Sequence, residues 1–351
     1  MNDPVRESIK QVDANTWLIG PLQLRRSKGY SDTCTWYDEG DHVSYTLTNI
    51  STPPPPTVPL SENGPFRLVY DVGDSSAVWS VGNSAFCKVK LRLLSTTPEA
   101  ATLSFVQKLR PDFEIPQVLH YTELGDRSYL FLSRVRGRTL ANAWSTLDEK
   151  WRNHYMNVIV NICKFLESRE GDMLSGMDGK NVLEPFLIRY GEKADYTPQN
   201  LQRECALMEM DCSKFVFYHA DLGPGNIIVE EIPETGDVGI IDWEVAGFFP
   251  RGWIRTKFRI NSGLDLPDSA TDTPWEWRSG VQKLLGAHGS WTMYRNSNHY
   301  HLNSTQGFGV YSVSTSSNAS HILSLHQASH VTISPLRALS SGGKSSKSDV
   351  L

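Results

Sequence analysis

The stretch FYHADLGPGNIIV, Phe217 to Val229, decides how this chain is read. Phe215 to Tyr218 are bulky and β-prone, and Ile227 to Val229 are β-branched, so both flanks predict buried strands. Leu222-Gly223-Pro224-Gly225 between them predicts a tight loop. His219, Asp221 and Asn226 then sit on a rigid loop held by two strands, a common place for chemistry. Taken alone, Asp, Asn and Gly-Pro-Gly are ordinary turn formers. The next strand adds weight, because the apolar run Val238 to Ile241 ends in Asp242, and a charge there is costly if unpaired. The spacing brings Asp221, Asn226 and Asp242 to the same end of one hairpin. Two carboxylates and an amide are hard oxygen ligands that suit Mg²⁺. Zinc fits less well, since no second His or Cys accompanies His219 at ligand spacing.

Working outward, 351 residues predict two domains or one two-lobed unit. A net charge of -5 argues against a nucleic-acid partner. The five cysteines are an odd number with no CxxC pair, which argues against a disulfide framework or a structural zinc. The N-terminal MNDPVRESIKQ lacks the apolar core of a signal peptide, and no stretch approaches ~18 apolar residues. The expectation is a soluble cytoplasmic protein with no membrane span.

Residues 1–64 read as an extension. ANTWLIGPLQL forms a helix or a strand, and STPPPPTVPL (51–60) is a stiff polyproline connector. Residues 65–135 read as an antiparallel sheet interrupted by one helix. FRLVYDVG, SAVWSVG and AFCKVKL are strands, with a loop at Gly73-Asp74-Ser75-Ser76. TTPEAATLSFVQKLR is a helix with Thr97 as its N-cap, and QVLHYTE and SYLFLSRV pair around Gly125-Asp126. Residues 136–290 read as mainly helical around the polar loop. Thr146 and Glu149 are the expected capping box of a core helix that carries Tyr155, Ile159, Ile162 and Leu166. Residues 291–351 are rich in Ser, Asn, His and Thr and are expected to be disordered.

The pattern HxDxxxxN followed by IIDWE resembles the catalytic loop and metal-binding segment of the aminoglycoside phosphotransferase and choline kinase-like enzymes. FYHADLGPGNIIV…VGIIDWEVAGFFP is especially similar to fungal phosphotransferase-domain proteins. The resemblance covers about Phe66 to Gly289. It implies a two-lobed, α+β protein kinase-like fold, with a small antiparallel-sheet N-lobe and a mainly helical C-lobe. It also implies ATP and Mg²⁺ as cofactors. By position, Asp221 matches the catalytic Asp that handles the acceptor hydroxyl. Asn226 and Asp242 match the metal ligands, and His219 matches a structural brace of the loop. In the N-lobe, Lys88 matches the phosphate lysine and Glu99 its helix partner. Gly73, Ser75 and Ser76 lie in the phosphate-covering loop. Ser133 to Val135 match the hinge that offers backbone groups to adenine. Period-2 alternation puts Lys88 and Lys90 on one face, and FCKV fits the family's strand better at Lys88.

The chain departs from the family in places. DVGDSSAVW holds one Gly and no GxGxxG. No Arg of an HRD pattern precedes Asp221 and no APE-like segment follows Asp242, which disfavours a protein kinase. The implied activity is transfer of the γ-phosphate of ATP to a hydroxyl of a small molecule. The alternative is an inactive kinase-like protein that binds a nucleotide or partner. Glu244 and Asp265 are candidates to attract a cationic substrate, or else solvated surface. The aromatic run Trp243 to Trp253 lines a pocket or belongs to the core. Neither the acceptor nor the oligomeric state is legible in the chain.

Overall fold

The computed structural model describes residues 4–188, 194–287 and 289. The segment 291–351, expected to be disordered, lies outside the described residues.

The first 50 residues hold the main surprise. Short alternating segments such as TWLI and LQL place Trp17, Ile19, Leu22 and Leu24 on one side, and all four are buried. They belong to an antiparallel sheet of five strands: β1 (Ile9–Asp13), β2 (Thr16–Ile19), β3 (Leu22–Lys28), β4 (Trp36–Asp38) and β5 (Val43–Asn49), in the order β1-β2-β3-β5-β4. Strand was therefore the right alternative for ANTWLIGPLQL. The polyproline segment that follows is pinned to the sheet edge, where Gln11 and Val58 exchange both backbone hydrogen bonds.

A second antiparallel sheet contains β6 (Phe66–Val72), β7 (Ser76–Val81), β8 (Ala85–Leu91), β9 (Val118–Leu124) and β10 (Arg127–Ser133), in the order β6-β7-β8-β10-β9. Helix α1 (Glu99–Lys108) lies between β8 and β9 in the chain. The two sheets share one core, in which Trp17, Ile19, Leu24 and Tyr45 meet Trp79, Cys87, Val89 and Phe131. Strand alternation divides the molecule along β10. Tyr129 and Phe131 join this β core, while Leu130 and Leu132 join a second core with Leu103 and Val106 of α1. On β8 the same alternation buries Cys87 and Val89 and turns Lys88 and Lys90 to the other face.

The remaining elements build the second core. They are β11 (Arg138–Thr139), α2 (Leu140–Ala143), α3 (Glu149–Glu167), β12 (Glu170–Gly171), α4 (Pro198–Leu207), β13 (Phe215–Tyr218), β14 (Ile227–Val229), β15 (Val238–Ile240), β16 (Gly247–Pro250), α5 (Trp253–Ile260) and α6 (Glu276–Ala287). Tyr155, Ile159, Ile162 and Leu166 of α3 are buried as the helical spacing requires. The architecture is α+β and two-lobed, with the β-rich lobe first and the mainly helical lobe after β10.

Three local expectations are corrected. The strands flanking the polar loop do not pair with each other. β13 belongs to the sheet β12-β13-β16 and β14 to the sheet β11-β14-β15. Both hydrogen-bonding edges of β13 are filled by β12 and β16, so residues 219–226 cross between sheets instead of closing a hairpin. The cap of α3 is Asp148, whose carboxylate accepts from Trp151 N–H, and Thr146 donates to the Ala143 carbonyl. The cap of α1 is Pro98, without a side-chain bond, because Thr97 is engaged by Asp178.

Candidate active site

Lys88 lies where the two lobes meet. Its Nζ donates to Glu99 Oε2 at 2.6 Å and to Asp242 Oδ1 at 2.7 Å. Glu99 opens α1, and its other oxygen accepts the Trp243 N–H at 3.2 Å. One strand, one helix and the segment after β15 are thus tied through one ammonium. Burial opposes the charge of Lys88, but Asp242 and Glu99 outweigh it and raise its pKa well above the ordinary value. Burial also raises the pKa of Glu99, against the pull of Lys88. For Asp242, burial acts upward but Lys88 and Lys90 prevail and lower its pKa. Lys90 ion-pairs with Glu244, which also lies 3.8 Å from Lys88.

The loop after β13 is held from inside. His219 is fully buried and packs edge-on against Trp243, with ring centroids 4.6 Å apart. Its Nδ1 accepts the Asp221 N–H at 3.2 Å, which leaves Nε2–H to donate to the Ile241 carbonyl at 2.9 Å. Burial lowers its pKa to about 4, so the ring is neutral near pH 7. Ala220 and Asp242 both have a φ of 63°, a left-handed backbone that costs a non-glycine residue energy. Strained backbone therefore flanks the loop and carries the carboxylate that faces Lys88.

Asn226 Nδ2 donates to the Asp221 carbonyl at 2.9 Å and to Asp221 Oδ2 at 3.0 Å. The Ile241 N–H donates to the Asn226 carbonyl at 3.0 Å, which fixes the loop to the end of β15. Burial raises the pKa of Asp221 to about 6; Lys257 opposes this, while Asp242, Glu184 and Glu244 add to it. Asn226 is buried, and its Oδ1 has no hydrogen-bond partner among the described residues. An orphaned amide oxygen is expensive to bury without a ligand. Carboxylate oxygens of Glu99, Asp242 and Glu244 lie within 4.8 Å of one another. This all-oxygen donor set fits a hard divalent cation such as Mg²⁺.

The other expected site residues fall around this centre. Gly73 is in the β6–β7 turn with a φ of 50°, and a Cβ there would meet nothing within 4 Å. Ser75 Oγ donates to the Val72 carbonyl, and Ser76 opens β7 opposite Lys90. At the hinge, the Ser133 N–H is already committed to the Gln117 carbonyl and the Arg134 N–H to Ser84. Val135 is buried and packs against β15, where a Cβ on Gly239 would lie 2.3 Å from Val135 Cγ1.

Neither acid considered for attracting a cation is free. Glu244 pairs with the two lysines, and Asp265 is held by the Arg278 guanidinium. The aromatic run is core, since Trp243, Phe249 and Trp253 are fully buried. Sequence reasoning missed a second buried ion pair near Asp221, Lys257–Glu184 at 2.7 Å, with Trp253 Nε1 donating to the same Glu184 oxygen. Its partners lie 73 positions apart, so no local spacing announces them.

A lysine is thus bridged to a helix glutamate and to a strand-end aspartate, near a loop in which Asp and Asn five residues apart are hydrogen-bonded to each other. The model of the Phosphotransferase enzyme family matches residues 73–253, and the chain belongs to that family. A search of curated proteins finds no match. Among solved structures, the chain is similar to the streptomycin–ATP ternary complex of APH(2")-IIa, at 17% identity, 63% of this chain, 77% of that chain and a TM-score of 0.41. It is also similar to aminoglycoside phosphotransferase APH(3'')-Id from Streptomyces rimosus, at 17% identity, 66% and 87% coverage and a TM-score of 0.41. A thermostable mutant of APH(4)-Ia in complex with AMP-PNP and hygromycin B gives 15% identity, 65% and 94% coverage and a TM-score of 0.40.

Proposed function

We propose that this protein transfers the γ-phosphoryl group of ATP to a hydroxyl of a small molecule. The observation that carries this reading is the joint placement of Lys88, Glu99 and Asp242 in one ion-paired cluster, beside a loop that holds Asp221 and Asn226. Residues 65–135 bind the nucleotide, and 136–290 present the acceptor. Lys88 holds phosphate oxygens, and the turn Gly73 to Ser76 lies over them. The adenine edge is read at the hinge by groups other than the Ser133 and Arg134 N–H, which are taken. Asp242 and the Asn226 Oδ1 would hold Mg²⁺, which when bound would neutralise charge on the phosphates.

Asp221 is the catalytic residue on the acceptor side. Its carboxylate orients the acceptor O–H and takes the proton as the new O–P bond forms and the bond to the departing ADP breaks. Asn226 donates to Asp221 Oδ2 and so fixes the rotamer in which the other oxygen is presented. His219, neutral and buried, positions the loop and does not touch the acceptor. Among the described residues no helix is long and apolar enough to cross a membrane.

The test is ATP consumption with Mg²⁺ in a metabolite extract, followed by mass-spectrometric detection of phosphorylated products, alongside a generic protein substrate. A phosphorylated small molecule is expected. Phosphorylation of the protein substrate alone, or no ATP consumption, contradicts the proposal.

A further inference from the structure

The two lysines on the cleft face of β8 are held differently. Lys88 is 12% exposed and bonded to two carboxylates, Glu99 and Asp242, themselves 6% and 14% exposed. Lys90 is 32% exposed and bonded to one, Glu244, at 25%. Releasing Lys88 would strand buried charges, which is costly. Releasing Lys90 costs less than releasing Lys88, because its pair is more open to solvent and has a single carboxylate at bonding distance.

We propose that Lys90 is a second phosphate-binding residue and that Glu244 occupies its ammonium until a nucleotide polyphosphate displaces it. The inference rests on the nucleotide reading of the cleft. Lys88 and Lys90 are two positions apart on one strand, so their backbones are separated by roughly 7 Å. Their ammonium groups nevertheless converge, since Glu244 Oε2 lies within ion-pair distance of both, and a phosphate oxygen in its place meets both lysines. Lys90 also sits under the turn expected to cover those groups. It faces Ser76 in the β7–β8 register, and the neighbouring Leu91 N–H donates to the Ser75 carbonyl at 2.8 Å.

The charge count points the same way. Two ammoniums, Lys88 and Lys90, stand against three carboxylates, Glu99, Asp242 and Glu244, and leave one net negative charge. A polyphosphate enters such a site only by replacing a carboxylate on a lysine or with a cation that offsets one. Exchange at Lys90 replaces one charge-assisted hydrogen bond by another of the same kind.

The test is calorimetric titration of the full chain with metal-free ATP and, separately, with adenosine. It uses the wild type, Lys90→Met, Glu244→Gln and the double variant, each first shown to be folded by circular dichroism. Lys90→Met is expected to weaken ATP about ten-fold and to leave adenosine unchanged. Glu244→Gln is expected to tighten ATP, and that gain is expected to vanish in the double variant, because it acts through Lys90. Lys90→Arg, which keeps the charge, is expected to stay close to wild type. A Glu244→Gln gain that persists without Lys90, or a folded Lys90→Met with unchanged ATP affinity, overturns the inference while leaving the nucleotide site in place. A wild type that binds no ATP, with or without Mg²⁺, overturns the nucleotide reading itself and this inference with it.

Discussion

Among the described residues, two lysines pair with buried glutamates, one in each lobe, and their surroundings differ in one respect. Lys257 of α5 is matched by a single carboxylate, Glu184, whose oxygens also accept Trp253 Nε1–H and the Phe186 N–H. That pair is neutral and closed. Lys88 faces Glu99 and Asp242 at bonding distance and Glu244 at 3.8 Å, so acid exceeds base around it. A matched pair needs nothing further, whereas a surplus of carboxylates, one buried and two partly buried, together with an orphaned amide oxygen fits a cation. On the proposed function, the first arrangement serves the fold, and the second costs the fold something in exchange for a ligand site.

The comparison breaks most readily at the matched pair. Lys257→Met leaves Glu184 buried without its cation and is expected to cost about 3–5 kcal/mol in urea denaturation. The double variant Lys257→Met with Glu184→Leu should recover most of that loss, since an apolar replacement of a buried pair is close to neutral. If the double variant also shows the full loss, the pair is more than a structural tie.

A smaller effect concerns acid. His219 has its pKa lowered to about 4 in the fold from an ordinary 6.5. Between those values the unfolded chain binds more protons, so this group's contribution falls as pH drops from about 6.5 to about 4, by at most roughly 3 kcal/mol. Asp221 acts in the opposite sense. Its folded pKa is raised to about 6 from 3.8, so the folded state binds more protons in that window and the contribution of Asp221 falls as pH rises through it. The two largely offset each other between pH 4 and 6. Asp221→Asn should therefore expose the acid sensitivity of His219 and be more stable than wild type near pH 7. Denaturation curves from pH 4 to 7 measure both signs, and parallel profiles for the two proteins would contradict the assignment.

The smallest effect is expected at the partly exposed Lys90–Glu244 pair. Glu244→Gln should change stability by about 1 kcal/mol or less, because solvent screens Lys90 and Glu244. A loss as large as that of Lys257→Met would place this pair with the structural ones.

What the sequence makes legible follows from how local each signal is. Asp221 and Asn226 are separated by one short loop, and Asp242 ends a plainly apolar run, so their grouping needs no knowledge of distant contacts. The ion pairs of Lys88 required the whole cleft, because Lys88 and Lys90 share a face of β8, and only the placement of α1 and β15 sets Glu99 and Asp242 against Lys88. The sheet of residues 9–49 was hard to see, since its strands are short and β3 pairs with β5 across an intervening strand. The crossing of residues 219–226 between two sheets was equally hidden, because the partner of β13, at Gly247 to Pro250, is remote in sequence. Hinge geometry was legible only as a position, and the commitment of the Ser133 N–H to Gln117 depends on β9 and its approach.

The central claim is that Asp242 acts on the metal–nucleotide side and Asp221 on the acceptor. Calorimetric titration with MgATP together with ATP turnover, on Asp221→Asn and Asp242→Asn, tests it most directly. Asp221→Asn is predicted to bind MgATP nearly as wild type does, while turnover falls about 10²- to 10⁴-fold. Asp242→Asn is predicted to lose MgATP binding and turnover together. A folded Asp221→Asn that no longer binds MgATP, beside an Asp242→Asn that still does, would contradict the account.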